Sequence, residues 1–393
     1  MRDHYAIIGG GIAGASIAYH LSEITDKTIT LFERQSPASE TTYKSVAQFG
    51  FYGDETQYRM KRYGMQLYNR FFREPRANPR FHSMGILLAA TDADNAALFE
   101  KSRKGVEEES IGMIGEDRGR DMVKYIPGET LDEQFLLPPV DTEAIAGALF
   151  RPRVGYMSRP QELAYEFLER AKENGVTVRS GTEVAEITTK NDRVTGVVTG
   201  DDNKVDATEV VCAAGPWNIE VAESVGIDIP VQHTIAPVVR LKPKDPIEYD
   251  LPSINHFESP YAFHRRSEEE LLIGYNPGYE DGTRYDPRTV RERVPEAIRN
   301  EGFDLLAELV PGWRDAGIAD EWVGIRSITP DGNPIVGWTE LKGFNIAAFH
   351  TSGIQLSPAV GRMIAKQIVE DDPTDYYDSL SITRFDEYED WRS

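Results

Sequence analysis

Cysteine is almost absent: the 393-residue chain has one, Cys212. That excludes an intrachain disulfide and any zinc or iron–sulfur centre built on thiolates. Cys212 lies in the apolar run Glu209-Val-Val-Cys-Ala-Ala214 and is expected to be a buried thiol rather than a nucleophile. Long hydrophobic runs are missing too, none approaching the roughly 18 residues of a membrane-spanning helix. The first strand starts within the first few residues, so no signal peptide is expected and the protein is expected to be cytoplasmic. Basic residues are scarce. With 43 Lys plus Arg against 65 Asp plus Glu the net charge is −22, which repels nucleic acid and anionic membranes. The acidic surplus is spread along the chain, as in Glu107 to Glu109 and Glu268 to Glu270. It therefore reads as a solvated acidic skin, of the kind a halophilic protein carries in a salty cytoplasm. No internal repeat, low-complexity linker, metal-ligand cluster or Ser-His-Asp constellation is visible.

What is present begins at once. Tyr5-Ala-Ile-Ile-Gly-Gly-Gly-Ile-Ala-Gly14 is a short apolar strand running into Gly9-x-Gly11-x-x-Gly14. A helix is expected from Ile12, followed by a strand, Thr28-Ile-Thr-Leu-Phe-Glu33, that ends on an acid. This is the pattern of a dinucleotide-binding βαβ unit. Gly9 permits the tight turn, Gly11 lets backbone approach a pyrophosphate, and Gly14 lets helix pack on strand. The helix N-terminus attracts phosphate, and Glu33 is placed to bond ribose hydroxyls.

Downstream, a polar loop from Arg34 to Gln48 precedes a helix over Glu55 to Phe72, with Tyr58, Met65, Tyr68 and Phe72 as its expected core stripe. Gly85 to Ala90 reads as a strand and Asp92 to Glu108 as a helix. The α/β pattern returns with a helix over Arg159 to Asn174 and strands at Val176 to Arg179, Glu183 to Thr189, Val194 to Thr199 and Val205 to Ala213. Segments alternating at Val238 to Leu241, Tyr261 to His264 and Leu271 to Tyr275 predict a sheet-based lobe, with a helix at Phe303 to Val310. The chain closes with a strand at Phe344 to Phe349, a glycine turn at Gly353 and a helix over Pro358 to Glu370. The lobes are interleaved rather than strung out.

Set in order, several motifs resemble the D-amino acid oxidase superfamily of FAD-dependent amine oxidoreductases. They are the Gly9 to Gly14 loop, Leu31-Phe-Glu-Arg34, Thr42-x-x-Ser45, Gly181-Thr-Glu-Val184, Ala213-Ala-Gly-Pro-Trp217, Gly324-Ile-Arg-Ser-Ile-Thr-Pro-Asp331 and Ser352-Gly-Ile-Gln-Leu-Ser-Pro-Ala-Val-Gly361. Within it, Ser45-Val-Ala-Gln48, Gly324-Ile-Arg-Ser327 and Gly353-Ile-Gln355 look most like D-arginine dehydrogenase, with glycine and sarcosine oxidase also close. The resemblance implies an α/β (α+β) fold: a Rossmann-like FAD-binding domain (1–84, 151–228 and 329–393) with an interleaved, mainly antiparallel β-sheet substrate domain (85–150 and 229–328). It implies noncovalent FAD held by Gly9, Gly11, Ile12, Ala13 and Gly14 at the diphosphate, Glu33 and Arg34 at the adenosine ribose, and Val184 at adenine. Thr42, Lys44, Ser45, Ala47 and Gln48 would run along the pyrophosphate and flavin. Ala214, Gly215, Trp217, Ser352, Gly353, Ile354 and Gln355 complete the expected cofactor contacts.

At the flavin the same resemblance implies a substrate carboxylate bound by Arg326, with Tyr52 and Tyr261 in the pocket. Backbone N–H groups at Gly353 to Gln355 would face the flavin and favour its anionic reduced form. A surface pair with Asp320 or Asp331 is the alternative for Arg326. The implied reaction is hydride transfer from Cα of a small D- or N-alkyl amino acid to flavin N5, giving an imine and then a 2-oxo acid, and no general base is demanded. A neutral or apolar substrate is favoured, because the guanidinium-pairing glutamate of D-arginine dehydrogenase has no counterpart at Ser83-Met-Gly85. The electron acceptor is left open between a quinone, an electron-transfer protein and O2, and a homo-oligomer is allowed. Two rivals remain: a flavin-carrying subunit of a multi-component complex, and a nicotinamide-dependent dehydrogenase on the same βαβ unit.

Overall fold

The computed structural model describes residues 3–51, 53–73, 81–114, 122–135, 140–242, 244, 247, 251–257, 261–265, 270–275, 285–290, 293–313, 315–371 and 377–385. A six-stranded sheet runs in the order Ile335–Trp338, Phe344–Ala348, Glu209–Cys212, His4–Ile8, Thr28–Glu33, Thr177–Ser180. All its pairings are parallel except that between Ile335–Trp338 and Phe344–Ala348. Near-continuous apolar strands such as His4–Ile8, with Ala6 and Ile7 fully buried, suit a parallel sheet covered on both faces. The chain moves to opposite sides of His4–Ile8 for Thr28–Glu33 and Glu209–Cys212. A topological switch point therefore lies at the carboxyl end of the first strand, where open α/β sheets bind ligands.

Helix Ile12–Ser22 packs between helices Pro160–Glu173 and Gly353–Glu370. Its Ile17 and Leu21 are fully buried, and truncating either to alanine costs about 2–5 kcal/mol by transfer and cavity terms. The approach to the last helix is close. Ser16 Oγ donates to the Ser357 carbonyl at 2.8 Å, and a Cβ on Gly361 would stand 2.4 Å from Ser16 Oγ.

The second large sheet has eight strands in the order Gly317–Ile328, Gln232–Lys242, Glu270–Gly274, Tyr261–Arg265, Ser253–His256, Ile86–Ala90, Gly147–Arg151, Lys124–Pro127. It is mainly antiparallel, with one parallel pairing between Ser253–His256 and Ile86–Ala90. Strand alternation separates its faces. Ile235, Val239, Ile254, Leu271, Ile273 and Val323 pack with Leu306 and Leu309 of helix Glu296–Leu309. Val238, Leu272 and Trp322 belong to the other face, with Tyr156, Val46 and Met84 against them. Arg326, four residues beyond Trp322 on the same strand, shares that second face.

Two expectations shift. The last helix begins at Gly353, not Pro358, and takes Pro358 into its second turn, where the ring removes the helical donor to the Ile354 carbonyl and the Tyr68 and Ser357 hydroxyls donate to that oxygen instead. In helix Glu55–Phe71 the buried residues are Met60, Lys61, Gly64, Tyr68 and Phe71, while Tyr58 and Met65 are only half-buried. A lysine thus takes a place that the aromatic pattern assigns to apolar side chains. Cys212 is fully buried, its thiol donates to Asn218 Oδ1 at 3.1 Å, and burial pushes it up to about 12.

Candidate active site

A cavity of about 990 Å³ runs from the carboxyl ends of the parallel strands to the inner face of the eight-stranded sheet. That is the upper end of the range for small-molecule and cofactor sites. Its floor at the switch point is bare backbone. Gly9 has φ +106°, and a Cβ there would stand 2.4 Å from the Ala213 carbonyl oxygen. Helix Ile12–Ser22 has no side-chain cap of its own at Gly11. Instead Thr42, from the loop, accepts a hydrogen bond from the Ile12 N–H at 3.0 Å through Oγ1. The helix start is thereby tied to the polar loop that closes over it.

Glu33 is fixed before any ligand arrives. Its Oε2 accepts from the Gly10 N–H at 2.8 Å and its Oε1 from the Gln35 N–H at 2.7 Å. Arg34 stacks its guanidinium 3.9 Å above the Trp217 ring, a contact that holds both against the cavity wall.

The opposite end is built by the turn before the last helix. Thr351 and Ser352 both have positive φ, 24° and 52°, conformations that cost free energy in residues with a Cβ and cluster at functional sites. The chain enters the helix abruptly, and Gly353 and Ile354, its first two residues, line the cavity. The turn is braced from behind: the Tyr68 hydroxyl donates to the Ile354 carbonyl, and Ser357 Oγ donates to the same oxygen at 3.1 Å. Positive helix-end potential is therefore held in a fixed place.

Arg326 reaches the cavity from the eight-stranded sheet. Asp320 accepts from Arg240 at 3.0 Å, and Asp331 accepts from Arg384 at 2.8 and 3.1 Å. Behind the cavity His350 accepts the Thr329 N–H at Nδ1, 3.1 Å away, which leaves the neutral ring's proton on Nε2. Burial, then the Arg326 charge, hold it below the ordinary histidine range.

Of the residues expected from sequence, Gly9, Gly11, Ile12, Ala13, Glu33, Arg34, Thr42, Ser45, Ala47, Gln48, Val184, Ala214, Gly215, Trp217, Arg326, Ser352, Gly353 and Ile354 line the one cavity. Gly14 does not. A Cβ there would be 1.9 Å from the Gly9 carbonyl oxygen, so it serves helix–strand packing. Lys44 turns away to Glu40, at 3.0 Å, and its carbonyl accepts from Trp322 Nε1. Gln355 is 1% exposed and its Oε1 accepts from the Gly50 N–H at 3.1 Å, so its side chain braces the loop and does not reach the cavity. Tyr261 lies in a strand of the eight-stranded sheet, opposite Asn255, and Tyr52 lies outside the described residues. Sequence reasoning missed Val46, Asn255, Ser327 and Phe349 on the wall. Val46 and Ser327 lie inside the sequence motifs without having been singled out, whereas only the register of the second sheet brings Asn255 there.

FAD fits these residues. Glycine backbone leaves room at the helix start, and two buried donors on the wall, Gln48 Nε2 and Trp217 Nε1, have no hydrogen-bond partner among the described residues. Such donors call for a ligand's acceptor atoms. Among the described residues no helix is long and apolar enough to cross a membrane, and no group of His, Cys, Asp and Glu is arranged to hold a metal ion.

Comparison with known proteins agrees with this geometry. The chain is 27% identical over 396 residues to 4-methylaminobutanoate oxidase (formaldehyde-forming) of Paenarthrobacter nicotinovorans, and 24% identical over 395 residues to the mitochondrial dimethylglycine dehydrogenase of Rattus norvegicus. These alignments cover 96% and 95% of this chain but 45% and 43% of those relatives, so the chain spans less than half their length. Glycine oxidase of Geobacillus kaustophilus is 25% identical, with 98% of this chain and 97% of that protein covered. In fold, L-proline dehydrogenase from P. horikoshii superposes with a TM-score of 0.81 at 24% identity over 99% of each chain. The FAD dependent oxidoreductase family, DAO, matches residues 4–367, and the chain belongs to it.

Proposed function

We propose that this FAD-dependent oxidoreductase oxidises the C–N bond of a small D- or N-alkyl amino acid, giving an imine that water hydrolyses to a 2-oxo acid. The observation that carries this reading is the presence of Arg326 and the Gly353 turn on one cavity. FAD supplies the two-electron acceptor when bound; the protein supplies placement. Arg326 binds the substrate carboxylate through paired charge-assisted bonds, which fix the orientation of Cα. The N–H groups of Gly353 and Ile354, with the helix end behind them, stabilise negative charge that develops at the cofactor. Glu33, Thr42, Gln48 and Trp217 hold the cofactor's remote parts. Val46 on the cavity wall, backed by Trp322, Val238 and Leu272, gives the substrate side an apolar patch that suits a neutral side chain.

The relatives carry names of amino acid and N-methyl amine oxidases and dehydrogenases, which supports a primary or secondary amine as the bond oxidised. An anaerobic screen of D-, L- and N-methyl amino acids tests this: bleaching of the flavin spectrum by members of one class is the expected result. No bleaching by any amino acid would reject the assignment. The greater length of the first relatives favours one other reading, in which the chain is the flavin-carrying part of a larger assembly. Turnover of a dye by the purified chain with amino acid alone decides between them.

A further inference from the structure

Helix Glu55–Phe71 lays one stripe, Gln57, Lys61, Gly64 and Tyr68, along the elements that build the flavin end of the cavity, and the helical spacing puts all of them on one face. Gln57 Nε2 donates to the Gly332 carbonyl at 2.9 Å. A Cβ on Gly64 would come within 2.6 Å of the Gln355 carbonyl oxygen, and Tyr68 holds the Ile354 carbonyl. Lys61 sits in the middle, between the Gly332 loop and the first turn of the last helix. It is 1% exposed, with Nζ 3.3 Å from Gln57 Oε1.

The charged groups that face it come from every side. Asp54, at the start of its own helix, draws the ammonium, and Arg151, at the end of strand Gly147–Arg151, repels it. His350 feels the charges of Arg326, Asp331 and Lys61 alike, so Lys61 and Arg326 act on a common neighbour. Burial pushes Lys61 down to about 8. A buried ammonium is a costly way to fill a helix face that methionine would fill without charge, and its helix packs on the first turn of the last helix, whose Gly353 and Ile354 line the same cavity as Arg326.

We infer that Lys61 is a positioning residue whose ammonium, without touching the ligand, strengthens anion binding at the Arg326 end of the cavity. This rests on the reading of Arg326 as the carboxylate anchor. Lys61 adds a second positive charge to that of Arg326. Above the Lys61 ionisation the second charge is gone and only Arg326 remains.

Acetate is the probe, titrated into the FAD-loaded protein at constant ionic strength from about pH 6 to about pH 10 and followed by the change in flavin absorbance. The native protein's acetate Kd is expected to rise by roughly five- to tenfold as pH passes through the Lys61 ionisation, the size expected of one charge at partly screened distance. Lys61→Met binds acetate at the weaker, high-pH level throughout, with no pH step. Lys61→Arg binds tightly throughout, again with no step. A pH step retained in Lys61→Met overturns the proposal. If that variant does not fold, a step retained in Lys61→Arg overturns it equally. Failure of the anchor reading shows separately: Arg326→Ala loses acetate binding at every pH if the reading holds and binds normally if it does not.

Discussion

A lysine sealed inside a helix stripe leaves a thermodynamic signature. Burial lowers Lys61 from its ordinary value to about 8, whereas in the unfolded chain it stays near the ordinary value. Between those two pH values the unfolded state binds the extra proton, so stability rises with pH across that window. Below it both states are charged and the folded state carries the whole cost of the buried ammonium. A shift of this size corresponds to about 3 kcal/mol. Lys61→Met is therefore expected to unfold at a higher temperature than the native protein at pH 7, the difference fading toward about pH 10.5. Thermal melts at several pH values check this, and a constant difference would sink it. Arg326 makes the complementary case. Removing one partner of a carboxylate pair costs about 2–5 kcal/mol, so Arg326→Ala should raise substrate KM about a hundredfold or more in steady-state assays, with Arg326→Lys between. An unchanged KM would remove Arg326 from the substrate site.

At the scale of elements, local pattern and tertiary contact divide the work unevenly. The opening strand, turn and helix are legible because each residue answers to its neighbours: Gly9 to its positive φ, Gly14 to the Gly9 carbonyl one turn away. Gly14→Ala would force helix from strand, with an expected cost of about 1–3 kcal/mol from overpacking and loss of FAD on desalting. A variant that kept its FAD and melting temperature would contradict that role. The start of the last helix was not legible, because a proline at 358 reads as a helix start, while the real start depends on Thr351 and Ser352 adopting positive φ under outside bracing. Tyr68 provides part of that bracing. Tyr68→Phe keeps the ring packing but removes the hydroxyl from the Ile354 carbonyl. Flavin binding should weaken more than global stability falls; equal losses would mean that the hydroxyl only packs the core. Gln355 shows the same limit from the other side. Its motif position suggests a contact in the site, whereas its side chain is spent on the Gly50 N–H, 305 positions away in sequence.

The whole molecule carries a net charge of −22, and self-repulsion of that size disfavours the compact state. Salt shortens the range of such repulsion to about 3 Å at 1 M. The melting temperature of the FAD-loaded protein is expected to rise between low and molar KCl, and a flat profile would show that the acidic skin is already balanced locally, as by the pairs Lys27–Asp3 and Arg240–Asp320. The sequence by itself determined the nucleotide-binding start, the net acidic charge, the buried thiol and the mixed α/β character, because these follow from periodicity, composition and contacts between near neighbours. Only the tertiary structure decided which residues meet. Arg326 shares a face with Trp322, Asn255 reaches the wall, and Lys61 is closed in behind the Gly353 turn through pairings between strands and helices far apart in the chain. Burial and the charges that surround a side chain are properties of that assembly, and no window of sequence contains them.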